Sequence, residues 1–314
     1  MFVTAAGVSV FDATFMINNV NRDRTLLRRR LNHDQVLQHI QSKPERYRVL
    51  VPYTLEIFVR ALSVVMPRDK AFDRAFAAYA LVAAVMVMWA EFAYLRRWFS
   101  DQEALIACLV IASTLPLSLQ QPYAVWSLVE AAFAPLVLLL ALDDRRVLLG
   151  VVIALASLNR ETAIFLVVLY ALTEKLTKRH VATVLVYLGI WLTLVGGLRL
   201  IISDAPRRLT QWEVWHYDLL PINVAISATN AFLFFGLFWL FAILGFGRAP
   251  AFMRRTALLV PIYLAFFYGS AFWWEVRPFM TLYPVVLPLA LSYLFVPRET
   301  PVAGGYPELA SLKT

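Results

Sequence analysis

Four consecutive polar residues, Asn159-Arg160-Glu161-Thr162, stand in an apolar run that opens with VLLGVVIAL and closes with LVVLYAL. An arginine at membrane depth costs about 2.5–3.5 kcal/mol on insertion scales. Neighbours in sequence point to different sides of a helix, so Arg160 and Glu161 cannot fully satisfy each other. Glu130 is a candidate partner for Arg160. It lies about 22 Å above the Arg145 end of its own run, nearly level with Arg160, at 1.5 Å per residue. One reading is a buried ion pair that fixes a helix bundle. The other is an arginine that faces an anion or substrate, since ionisable residues inside a membrane are functional by default.

A second constellation lies in LNHDQVLQHIQSKPERYRVLVPYTLEIFVRAL, residues 31–62. Asp34 precedes a helical stretch, and Arg46 and Arg48 flank Tyr47 ahead of Pro52. A carboxylate can serve as general base on a hydroxyl, and arginine binds phosphate through two parallel hydrogen bonds. Together they suit a phosphate-bearing lipid at a membrane surface. A solvated charged loop is the plainer reading for any one of them. Three turns add aromatic residues beside polar ones: Gln120, Gln121, Tyr123 and Trp126; Trp212, Glu213, Trp215, His216 and Asp218; Trp273, Trp274, Glu275 and Arg277. Such rings are usually interfacial anchors. Beside carboxylates and amides they also suit a sugar, stacking on its apolar faces while polar groups bond its hydroxyls.

The elements that position these residues are membrane helices. Of 314 residues 61% are hydrophobic and only 16% charged, and the mean hydropathy is +0.66. Soluble domains run at about 45–50% apolar. The net charge of +8 is accounted for by basic loops at a membrane face, and no basic patch interleaved with aromatics points to nucleic acid. Cys108 is the only cysteine, which excludes an intrachain disulfide and a cysteine metal cluster. The four histidines show no ligand spacing. No cofactor or metal is expected.

Apolar runs of spanning length cover roughly 74–95, 103–118, 123–142, 180–202, 223–246, 256–272 and 278–296. Residues 1–17 read as a poor span, being short and carrying Asp12. They also lack the basic start and cleavage site of a signal peptide. Basic loops at Arg96–Arg97, Arg145–Arg146, Lys175/Lys178/Arg179 and Arg248/Arg254/Arg255 set the orientation,. All fall in the cytoplasm only if 147–172 begins and ends there. That predicts a re-entrant hairpin of half-helices with NRET at its apex, about 20 Å above Arg146. It also places 18–73 outside, although NRDRTLLRRR is basic. Residues 53–66 predict an amphipathic surface helix, with Leu55, Phe58, Val59 and Leu62 on one face and Glu56 and Arg60 elsewhere. The expected fold is all-α and polytopic, with about eight to nine transmembrane helices in one domain over 1–297. A disordered Pro/Gly-rich cytoplasmic tail follows over 298–314.

These residues resemble the C-type glycosyltransferase superfamily, polytopic enzymes that use polyprenyl-phosphate sugars on the non-cytoplasmic side. Three features carry the likeness. Asp34 precedes a surface helix where that family keeps a catalytic acid. YRVLVP, residues 47–52, looks like the family's Arg-x-x-x-Pro stretch. RRVLLGVVIALASLNRETAIFLVVLYAL is similar to its half-membrane hairpin with a basic residue near the turn. The acidic signature departs from the pattern, being a lone His33-Asp34 where many members have a paired or spaced motif.

The resemblance implies an integral protein of a bacterial inner membrane, acting outside the cytoplasm on a polyprenyl-phosphate-linked sugar and an unknown acceptor. Asp34 would be the general base of an inverting hexosyl or pentosyl transfer. Arg160, with Arg48 or Arg277, would hold the leaving phosphate. Arg46, Glu161, Glu130, Gln121, Tyr123, Glu275, Trp274 and His216 complete the expected substrate site. Two alternatives stand beside it. One is a transporter or lipid flippase with Arg160, Glu161 and Glu130 in its pathway, since broken helices also build such sites. The other is a non-catalytic assembly protein of the cell envelope.

Overall fold

The computed structural model describes residues 1–18, 22–41, 45–118, 123, 125–202, 211–270, 273 and 275–298. The expected tail from 299 onward therefore lies outside the described residues, as do Gln121 and Trp274. Among the described residues every regular element is helical. The helices are α1 (Phe2–Asn18), α2 (Arg22–Leu37), α3 (Leu50–Ser63), α4 (Arg68–Leu95), α5 (Asp101–Ser118), α6 (Val125–Leu142), α7 (Arg146–Asn159), α8 (Ile164–Ala171) and α9 (Lys178–Ile201). They continue with α10 (Gln211–Asp218), α11 (Pro221–Phe235), α12 (Phe238–Gly245), α13 (Ala251–Thr256), α14 (Leu259–Ser270) and α15 (Tyr283–Leu294).

Among the described residues four helical stretches are long and apolar enough to cross a membrane: α4, α6, α9 and Ala251–Gly269. A fifth results if α10 and α11, bent by 81°, count as one span. Other apolar runs are shorter or interrupted. The run 223–246 is split at Gly236, whose φ of +53° lies in the left-handed region that suits glycine. The run 278–296 starts as a 3₁₀ turn, Arg277–Leu282, before α15.

Close helix contacts explain two glycines. α1 runs antiparallel to α4: Trp89 Nε1 donates to Thr4 Oγ1 at 3.3 Å, and a Cβ on Gly7 would lie 2.7 Å from Val85 Cα. So the opening residues, expected to be a poor span, pack lengthwise into the bundle. α12 lies against α15, and a Cβ on Gly245 would collide with the Leu289 carbonyl oxygen.

The basic loops gather at one end of the bundle. Arg97 pairs with Asp143 at 2.7 Å, Trp98 packs on Phe252 with ring centroids 5.6 Å apart, and Arg255 donates to the Thr173 carbonyl at 2.7 Å. The opposite end carries α2 and α3. There Arg30 pairs with Asp69 and Asp73 in the first turns of α4. Arg29 is buried with its guanidinium 4.7 Å over the Phe76 ring. Two charges of the NRDRTLLRRR cluster are thus matched within the protein.

The helix predicted at 53–66 occupies Leu50–Ser63, and its faces differ from expectation. Leu55 and Val59 are buried, but so is Glu56, while Phe58 is 55% exposed. Glu56 is drawn inward by the partners described below, which rotates Phe58 out with Ile57. The outward side carries Tyr53, Ile57 and Phe58 together with the exposed Arg60.

α7 and α8 are 14 and 8 residues long. The chain breaks between them at Arg160, whose backbone is extended (φ −157°, ψ 147°), and turns through a 3₁₀ segment, Glu161–Ala163. The two far ends meet the same residue of α9. Tyr187 donates its hydroxyl to the Arg146 carbonyl at 2.8 Å, and its ring lies 5.0 Å from that of Tyr170.

Candidate functional site

The turn between α7 and α8 is clamped by its surroundings, because broken backbone in an apolar bundle must find partners. Asn159 Nδ2 donates to the Trp126 carbonyl at 3.0 Å. Trp191 Nε1 donates to the Glu161 carbonyl at 2.9 Å. The backbone N–H of Val49 donates to the Leu158 carbonyl at 3.0 Å. These bonds bring the Glu45–Tyr47 turn, the start of α6 and the middle of α9 to one place.

Arg160 and Glu130 form the pair expected from their depths, with Thr162 donating to the other Glu130 oxygen at 2.7 Å. Both side chains are nearly buried, at 12% and 13% exposure. A small cavity adjoins them, bounded also by Asn159, Thr162, Phe133 and Thr281. Arg48 is buried beside this pair. Its guanidinium lies 5.1 Å over the Trp126 ring and 4.0 Å from Glu161 Oε1, the long limit of an ion pair. Its Nε has no hydrogen-bond partner among the described residues. Arg160 and Arg277 lie close enough to repel its charge, Glu161 and Glu45 to attract it. Arg277 itself is bonded to Glu275 at 2.8 Å. So one of the three arginines, Arg48, lacks a close carboxylate. Arg46 sits half-buried in the Glu45–Tyr47 turn.

A second group surrounds Asp34 and centres on Glu56. Arg68 grips both Glu56 oxygens, at 2.9 and 3.1 Å, and its Nη2 also reaches Asp34 Oδ1 at 3.4 Å. Arg60 donates to Glu56 at 2.9 Å from one turn on. His33 Nε2 lies 3.1 Å from Glu56 Oε2, and His33 Nδ1 lies 2.8 Å from the Tyr123 hydroxyl. An ionised Glu56 only accepts, so Nε2 carries the proton and Tyr123 donates to Nδ1. Burial alone would raise the Glu56 pKa, but the bonds from Arg68, Arg60 and His33 overcome it and hold the carboxyl at about 2. Burial lowers the His33 pKa and favours the neutral ring. Asp34 is half-exposed, at 48%.

The two groups are joined by aromatic packing. Tyr123, bonded to His33, packs edge-on against Trp126 with centroids 4.9 Å apart, and Trp126 carries Arg48. Tyr123 is 2% exposed, so its ring belongs to this joint and not to an open sugar-stacking surface. His216 is exposed on α10. Among the described residues no three His, Cys, Asp or Glu side chains are placed to hold a metal ion.

His33, Glu56 and Arg68 are not singled out as site residues by the spacing of charges, and Trp126 is read only as a ring of an aromatic turn. The available signal was the Glu56–Arg60 pair at i and i+4 on an apolar helix. Nothing local in the sequence indicates that Arg68 and Tyr123 converge on the same group.

Apolar helices of spanning length, with acids and arginines collected at the end remote from the basic loops, are the frame on which the comparison with known proteins falls. Residues 58–201, from α3 to the end of α9, match the family model described as dolichyl-phosphate-mannose-protein mannosyltransferase. The match supports a membrane glycosyltransferase of the C type and upholds the resemblance at superfamily level. No curated protein and no solved structure matches the chain.

Proposed function

We propose that the chain transfers a sugar from a polyprenyl-phosphate donor to an acceptor hydroxyl, with inversion, at the non-cytoplasmic end of its bundle. In this reading α7 and α8 are a re-entrant hairpin, and α2 and α3 lie on the outer membrane surface. The basic end then faces the cytoplasm, as the positive-inside rule prefers. The matched family's description names a lipid-phosphate sugar, dolichyl-phosphate-mannose, and a donor of that chemistry fits the charges present.

Arg48 carries this reading. It is a buried guanidinium held over Trp126, 4.0 Å from its nearest acid and with its Nε unpartnered among the described residues. A lipid phosphate would take the place that Glu161 fills loosely, with Arg46, Arg160 and Arg277 adding positive potential. The Arg160–Glu130 pair stays as the buttress of the turn, so Arg48 takes the phosphate role first assigned to Arg160. Asp34 removes the acceptor proton as the acceptor oxygen bonds to the sugar C1. The C1–O bond to the lipid phosphate breaks, and the phosphate leaves with the electron pair. Stabilising that developing charge is the main catalytic contribution of the arginines. One displacement inverts the anomeric centre.

The test is transfer of label from polyprenyl-phosphate mannose into the acceptors of membranes that hold the full chain. Asp34→Asn is expected to abolish transfer at normal membrane abundance. Transfer at the wild-type rate in that variant would remove Asp34 from the reaction.

A further inference from the structure

The Glu56 group has more organisation than a surface charge cluster needs. Glu56 is buried and accepts from three different side chains, of α2, α3 and α4. Its two oxygens hold the Arg68 fork in one plane. A guanidinium fixed in this way directs its remaining donors, and the Nη2 shared with Glu56 is the atom that reaches Asp34. Glu56 is itself located by His33, whose other nitrogen is fixed by Tyr123. The sequence of contacts runs from the buried Tyr123 ring to the half-exposed Asp34 without a gap.

We propose that Arg68, fixed by Glu56, is a positioning residue that orients the Asp34 carboxylate toward the acceptor hydroxyl. This rests on the reading of Asp34 as general base. Arg68 touches neither substrate. It selects one orientation of an otherwise mobile, half-exposed carboxylate and leaves the second Asp34 oxygen available for the proton. Glu56 is the anchor, and His33 and Tyr123 set where the anchor stands.

The same transfer assay tests this, with the full chain in membranes, polyprenyl-phosphate mannose as donor, and rates expressed per folded molecule. Arg68 is 49% exposed, so Arg68→Gln is expected to fold. It should lower kcat by about 10- to 100-fold, the scale of a small misplacement, with the donor KM within about twofold. Arg68→Lys should recover part of the loss. Wild-type kcat in Arg68→Gln, with Asp34→Asn inactive, overturns the positioning role and leaves the function intact. A fall in folded protein with unchanged kcat per folded molecule overturns it as well. An active Asp34→Asn overturns the general-base reading and this role together.

Discussion

The Arg48 guanidinium lies 5.1 Å above the centroid of the Trp126 ring. A cation on an indole face is worth about 2 kcal/mol or more when desolvated, and the contact holds the guanidinium in place. Arg48 is therefore pre-oriented without being neutralised, since its nearest acid is at 4.0 Å. Arg48→Gln is expected to raise the donor KM by about 10- to 100-fold, the scale of losing a charge-assisted hydrogen bond or two. Arg48→Lys should not restore it, because an ammonium neither stacks nor binds bidentately. Donor titrations in the transfer assay distinguish these outcomes from a loss of kcat alone.

The Arg160–Glu130 pair behaves differently under substitution. Removing one partner leaves the other charge buried, at a cost of about 3–5 kcal/mol. Arg160→Gln and Glu130→Gln should each lower the thermal unfolding temperature in detergent. The double substitution should be less damaging than the sum of the two. Strict additivity would mean that the two side chains do not depend on each other.

Helix contacts give a third expectation. In Gly245→Ala the new methyl must displace the α15 backbone, which overpacking data put at about 1–3 kcal/mol. Gly7→Ala meets the backbone of α4 and should act in the same direction. Gly189→Ala is the control, because a Cβ there meets nothing within 4 Å. It should be neutral or slightly stabilising, as alanine is the better helix former. Melting temperatures of the three variants side by side measure this.

Acid should loosen the α2–α3 end first. His33 has a lowered pKa in the folded state, so its contribution to stability is complete above the unfolded value of 6.5 and is lost as pH falls below it. Glu56 is held at about 2 against an ordinary 4.5, so its contribution is complete above 4.5 and is lost between there and about 2. Unfolding temperature should therefore fall in two stages on acidification. Glu56→Gln should remove the lower stage, and an unchanged profile in that variant would falsify the assignment.

How much of this was legible in the sequence depends on the range of each interaction. The NRET break and its pairing with Glu130 followed from depth along two apolar runs, because helix rise converts sequence distance into height. The gathering of the basic loops followed from charge alone. The splitting of 223–246 at Gly236 did not, since a uniformly apolar run does not record where its backbone turns. The Phe58 and Glu56 sides of α3 were assigned in reverse, because hydrophobicity was the sole guide. His33 of α2 and Arg68 of α4, with Arg60 one turn on in α3 itself, outweighed it. Tyr123, expected in the substrate site, is a buried joint for the same reason, its partner His33 being 90 residues away.

The clamp on the α7–α8 turn also has an order in time. Val49, Trp126 and Glu130 all precede residues 158–162 in the chain, while Trp191 follows them. The partners of this turn are therefore synthesised before the turn itself, and the indole of α9 after it. A chain ending at Thr177 would already contain the partners of Asn159 and Arg160. Only the Glu161 carbonyl would still await its indole.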